Sequence, residues 1–104
     1  MKLWIDDIRP APEGYVWKKS VNSCLKFIGV ALTFVSTWEE PGLFLDIDHD
    51  AGEYAVDGGD YVKILDALEK ANLSMPISVH IHSQNPVGVE NMRRIIKRNG
   101  WKEV

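Results

Sequence analysis

The chain reads as a single α/β domain, residues 1–104, built on a mostly parallel sheet of about five strands with helices on both faces. Three observations predict this class. Short β-prone apolar runs alternate with longer segments of helical period, which is the pattern a parallel sheet with crossover helices requires. A length of 104 residues supports one core and leaves no room for two. Polar residues gather where the strands end, the edge at which such sheets bind ligands.

Residues 2–5 are short, apolar and β-prone; they end at Asp6 and Asp7, and Pro10 and Pro12 forbid regular structure beyond. Residues 15–18 form a second short strand. Ser20 is placed to cap a helix from Val21 to about Gly29, with Val21, Cys24, Leu25 and Ile28 at helical spacing. Residues 30–42 include VALTFVSTW, which is β-rich but follows no clear turn. The apolar start of residues 43–48 suits a central strand covered on both sides. Residues 49–59, with Gly52, Gly58 and Gly59, read as a flexible loop. Asp60 is then expected to cap a helix to about Ala71, with Val62, Leu65 and Leu68 buried and Asp66 and Lys70 paired on the solvent side. Residues 77–82 make another strand. Asn85 followed by Pro86 signals a helix that runs to Asn99 and stops at Gly100. Residues 101–104 can only be a brief last strand.

Composition narrows the function classes. Fifteen acidic against twelve basic residues, a net charge of −3, excludes the basic surface that extended DNA or RNA coating needs and leaves a small anionic ligand or an RNA end. The single Cys24 follows no metal spacing and fits a half-buried helix residue in a reducing compartment. No apolar run approaches the ~20 residues of a membrane span, and MKLWIDD lacks the features of a signal peptide, so a cytoplasmic location with no membrane partner is expected. Trp17 and Trp38 either mark an interface with a protein partner or fill the core.

Three strands end in chemistry. Asp6 and Asp7 follow the first, Asp48, His49 and Asp50 the central one, and His82 and Ser83 the next. Carboxylates converging in one crevice repel one another unless a cation lies among them, and magnesium or another hard divalent cation accepts such oxygen ligands. Asp6, Asp7 and Asp48 are the expected ligands, with Asp50 as a further member of the set. Asp46, inside its strand, fits a buried carboxylate with a structural partner better than a ligand. His80 fits a packed, hydrogen-bonded histidine, and the run Arg93, Arg94, Lys97 and Arg98 a solvated helix face. Phosphate contacts are expected from Arg9, from Ser83 and from the helix start at Asn85, whose N–H groups and dipole favour an anion. His49 and His82, on neighbouring strand ends, can act as base and acid in turn on a cyclic phosphodiester, with Asp48 at the reacting centre.

LWIDDIRP, LDIDHDAG and the Ser83 after the next strand resemble the receiver domains of response regulators, which have a flavodoxin-like sheet. In that family the acidic pair binds magnesium, the central Asp takes a phosphoryl group, and a Ser or Thr contacts it. More specifically, IDDIRP, LDIDHDAG and HSQNPVGVENM are similar to the cyclic-phosphate processing receiver domain, over Leu3 to Met92. The resemblance implies a receiver-like fold whose first helix is missing, since only a Pro-rich loop separates Asp7 from Tyr15, and no Lys stands in the usual strand-end setting. It implies a metal-dependent phosphoesterase acting on a cyclic phosphate, at an RNA end or on a small nucleotide. The alternatives are a non-catalytic receiver-like signalling or ligand-binding module with Asp48 as phosphoacceptor, and a small adaptor with a structural metal site.

Overall fold

A computed structural model describes residues 1–34 and 42–104. The strands are β1 (Lys2–Ile5), β2 (Val16–Lys18), β3 (Leu43–Ile47), β4 (Ile77–Ile81) and β5 (Lys102–Glu103). The helices are α1 (Val21–Phe34), α2 (Val62–Ala71) and α3 (Pro86–Arg98). All four strand pairings are parallel, in the order β2-β1-β3-β4-β5. This is the receiver-like α/β class, with a loop where the first receiver helix would stand.

That loop decides how the sheet is covered. From β2 onward every connection steps in the same direction across the sheet, and right-handed crossovers then set α1, α2 and α3 on one face, where α1 packs on α2 and α2 on α3. The step from β1 to β2 runs the other way, so a helix there would have covered the opposite face. The expected helices on both faces therefore become three described helices on one. The two faces alternate along each strand. Leu3, Ile5, Leu43, Leu45, Ile47, Ile77 and Val79 are buried with Cys24, Ile28, Ile64, Leu65, Met92 and Ile96 in one core. Truncating one of them, Leu45→Ala for example, costs about 2–5 kcal/mol. Trp4, Phe44, Asp46 and His80 fall on the alternate positions, and Tyr15 closes part of that face, its ring centroid 6.1 Å from Trp4 and 6.2 Å from Phe44.

Several local expectations change. Ser20 does cap α1, accepting the Ser23 N–H at 3.1 Å, but the helix runs on to Phe34 because nothing before it breaks the backbone ladder. Trp38 lies outside the described residues. Asp60 does not cap α2: its Oδ1 accepts the Ala51 N–H at 3.0 Å, and Tyr61 takes the cap position. Residues 49–59 are not a loose loop. They contain a 3-10 turn (Gly52–Val56) and are tied at both ends, by Tyr61 N–H to the His49 carbonyl (2.9 Å) and by Asn22 N–H to the Asp57 carbonyl (3.2 Å). Cys24 is fully buried, and burial pushes its thiol up to about 12, so it is not a nucleophile. Asn85 caps α3 and Gly100 follows its end with φ +68°, as the sequence requires.

Candidate functional site

The parallel register brings the C-terminal ends of β1, β3 and β4 to one rim, because Ile5, Ile47 and Ile81 are aligned neighbours. The residues that follow them therefore meet. Asp6, Asp7 and Asp48 offer carboxylate oxygens that lie within 4.8 Å of one another. The three are not equivalent. Asp6 is 1 % exposed, and its Oδ1 accepts the N–H groups of Ile8 and Arg9, both at 2.9 Å. Burial raises its pKa, yet these two donors and His82 outweigh burial and leave it below the usual carboxylate value. Asp7 goes the other way: burial raises it and the negative charges of Asp6 and Asp48 raise it further, against a backbone N–H that lowers it. Gly52, at φ +57°, brings its backbone so close to Asp7 that a Cβ there would collide with the Asp7 carboxylate. Three mutually repelling carboxylates, one raised by the others, are a donor set that fits a hard divalent cation.

His82 reaches the same rim in an unexpected posture. Its Nδ1 lies 2.6 Å from Asp46 Oδ1 and its Nε2 2.9 Å from Asp6 Oδ2, while the ring stacks on Trp4 at 4.2 Å with planes 7° apart. Both ring nitrogens are thus engaged by carboxylates. Asp46, 9 % exposed, has the structural partner that its burial demands. Period two along β4 puts His82 on the same face as His80, whose register partner is Asp46, and this explains the meeting. His80 is exposed rather than packed, with Nδ1 2.8 Å from the Val104 carbonyl oxygen.

His49 is held differently. Its Nδ1 is 2.8 Å from Asp50 Oδ1, and Asn85 Nδ2 donates to the same oxygen at 3.2 Å. The hydrogen bond from His49 is the main reason the Asp50 carboxyl sits below its usual value, with Asn85 adding to it against slight burial. The ring packs against Gly88 in the first turn of α3, where any Cβ would strike it. With Nδ1 engaged, Nε2 is left without a hydrogen-bond partner among the described residues. Asp50 is therefore brought to His49 and Asp60, not to the Asp6, Asp7 and Asp48 group.

The expected phosphate contacts are unequal. Asn85 Oδ1 accepts the Gly88 N–H at 3.0 Å, and Pro86 has no N–H, so Val87 alone keeps a first-turn donor without a partner among the described residues. Ser83 Oγ accepts the Asn85 N–H at 3.1 Å. Arg9 is exposed beyond the rim, its carbonyl accepting the Trp4 indole N–H at 2.8 Å. Lys102 pairs with Ser78, three residues and about 10 Å short of the β4 end, so it does not reach the rim. Of the basic run, Arg93 is bound to Glu103 and Arg98 to Glu69, both exposed ion pairs. Sequence reasoning missed the Asp46–His82–Asp6 chain and Gly88; the alternation that put Asp46 opposite His80 was the available signal for the first.

The model of the cyclic-phosphate processing receiver domain family matches residues 1–98. No curated protein and no solved structure matches the chain. No helix among the described residues is long and apolar enough to cross a membrane.

Proposed function

The chain belongs to the cyclic-phosphate processing receiver domain family, and from that premise we propose that it is a metal-dependent phosphoesterase acting on a cyclic phosphate, at an RNA end or on a small nucleotide. The observation that carries this reading is the His49–Asp50 pair, 2.8 Å apart, beside Asp48. An ordinary phosphoacceptor site has no use for an oriented imidazole; hydrolysis has.

Asp7 and Asp48 would hold a divalent cation, with Asp6 completing the set. A cation bound there supplies positive charge to the phosphoryl oxygens. Asp50 accepts from His49 Nδ1–H and so fixes the tautomer in which Nε2 carries the lone pair, ready to take the proton of an attacking water. Asn85 holds Asp50, and Gly88 lets the imidazole lie against the helix. His82, with both nitrogens engaged, serves by fixing the Asp6 carboxylate instead of moving a proton to substrate. The Val87 N–H, the Ser83 hydroxyl and the Arg9 guanidinium are the phosphate contacts. Turnover of 2′,3′-cyclic nucleotides by the purified protein with magnesium tests the reading, with His49→Ala and Asp7→Asn as variants; activity that survives both substitutions excludes it.

A second reading keeps Asp48 as phosphoacceptor in a signalling or ligand-binding module with a protein partner. It is favoured by the place of Asp48, half-buried at the end of the central strand beside Asp7. Lys102, remote from the rim, speaks against it. Acetyl phosphate separates the two: a base-labile mass gain lost in Asp48→Ala supports the acceptor.

A further inference from the structure

On the β2 side of the rim, away from His49, a cavity of about 340 Å³ is lined by Trp17, Lys19, Ser20, Ser23, Tyr54 and Asp57. Two of its walls are aromatic. The Lys19 ammonium sits 4.4 Å from the Trp17 ring centroid and 5.9 Å from that of Tyr54, so a single cation touches both rings and they border one gap. The cavity adjoins the carboxylate cluster through two links. Trp17 Nε1–H donates to the Asp6 carbonyl at 2.8 Å. Tyr54 belongs to the 3-10 turn that begins at Gly52, the residue pressed against Asp7. Its floor is fixed by Ser20 Oγ, which donates to Asp57 Oδ2 at 2.6 Å, and by Tyr61 Oη, which donates to the Lys19 carbonyl at 2.7 Å.

We propose that this cavity seats the base of a nucleotide whose phosphate lies at the Asp7 and Asp48 carboxylates. The inference rests on the phosphoesterase reading for the position of the phosphate and adds what stands on the other end of the substrate. Aromatic faces accept any nucleobase by stacking, and the Ser23 hydroxyl and Asp57 carboxylate at the edge suit the base's polar rim. The volume lies at the small end of ligand pockets and is enough for one base. Lys19 is displaced from the ring faces when the base enters, and its ammonium is then free to meet the ligand's negative charge.

Calorimetry in magnesium, with adenosine 3′-monophosphate and glycerol 2-phosphate as probes, tests this. The two carry the same phosphate monoester, and only one has a base. The wild-type protein is expected to bind the nucleotide about tenfold or more tightly, the scale of one stacked base. Trp17→Leu and Tyr54→Leu should each bring the ratio of the two affinities toward one, and Trp17→Phe should restore most of it. Tyr54→Leu guards against a folding defect in Trp17→Leu, since the Tyr54 side chain makes no hydrogen bond to the acidic loop. Equal affinities in the wild type, no measurable nucleotide binding, or a ratio unchanged in Tyr54→Leu overturns the seat. Turnover separates it from the parent reading. A preference for the nucleotide without hydrolysis of 2′,3′-cyclic AMP keeps the seat and sinks the phosphoesterase, and hydrolysis without preference does the reverse.

Discussion

The His49 imidazole lies on the bare α-carbon of Gly88, with no room between them for a methyl group. Gly88 is buried in the first turn of α3, so the contact fixes both the ring and the approach of the helix to the β3 end. Gly88→Ala is expected to destabilise the protein by about 1–3 kcal/mol through overpacking. Unfolding midpoints of four proteins check the cause. In a His49→Ala background the clash is gone, and the same substitution should stabilise by up to ~1 kcal/mol, as Ala for Gly does in a helix. Additive effects in the double variant would show that Gly88 is needed for some other reason.

His82 joins two carboxylates that have no other side-chain nitrogen donor among the described residues. His82→Ala leaves Asp6 and Asp46 facing each other without the imidazole, and a loss of about 1–3 kcal/mol is expected, the scale for leaving buried hydrogen-bond acceptors without their donor. Urea unfolding of the variant measures it.

Asp6 also predicts acid sensitivity. Its folded pKa lies below the unfolded value of about 3.9, so the stability it contributes is complete above that value and is lost as pH falls through the folded pKa. Asp6→Asn should flatten the fall in the wild type's urea midpoint as pH drops below about 4, while lowering stability at pH 7.

How much of this was legible in the sequence depends on which kind of signal carries it. The apolar strands were legible, because short apolar runs bounded by Asp, Pro and Gly have few other readings, and the charged β5 only as the short remainder after the Gly100 stop; the meeting of Asp6, Asp7 and Asp48 was legible too, because parallel strands place their following residues on one edge. The end of α1 was hidden, since β-branched residues such as Val30 and Thr33 look like a strand until packing overrides propensity. Asp60 read as a cap because its type fits one; a long-range backbone donor, Ala51, claimed its side chain first. The postures of His49 and His82 were beyond any pattern in the chain. Each depends on which carboxylate lies within about 3 Å of which nitrogen, and that is a property of register and of the Gly88 contact.

Asp7 bears the repulsion within the cluster. Its folded pKa is raised, by burial first and then by Asp6 and Asp48, so its ionisation opposes the fold as pH rises from about 3.9 through the folded value, and the full penalty stands at neutral pH. Asp7→Asn is expected to raise the Tm of the metal-free protein at pH 7 by a few degrees, about 4–8 °C for each kcal/mol relieved. Magnesium should raise the wild-type Tm, by ~2.7 kcal/mol of stabilisation at one hundred times Kd, and should leave Asp7→Asn almost unmoved. Calorimetric melts with and without magnesium decide it; an equal magnesium shift in both proteins removes Asp7 from the ligand set.

Asp50 separates an oriented histidine from a wider metal site. As a ligand of the cation, the place its sequence neighbourhood suggests, its loss would weaken the magnesium-induced rise in Tm. As the partner of His49 it acts on proton transfer alone. Asp50→Asn keeps an oxygen for Nδ1–H but removes the negative charge that steadies the imidazole when it takes a proton. The expected outcome is a fall in kcat on a 2′,3′-cyclic nucleotide, smaller than the ~10²–10⁴-fold loss in His49→Ala. The magnesium shift should stay within error of the wild type. If instead that shift disappears while kcat holds, Asp50 belongs with Asp7 and Asp48, and His49 is left without an orienting group.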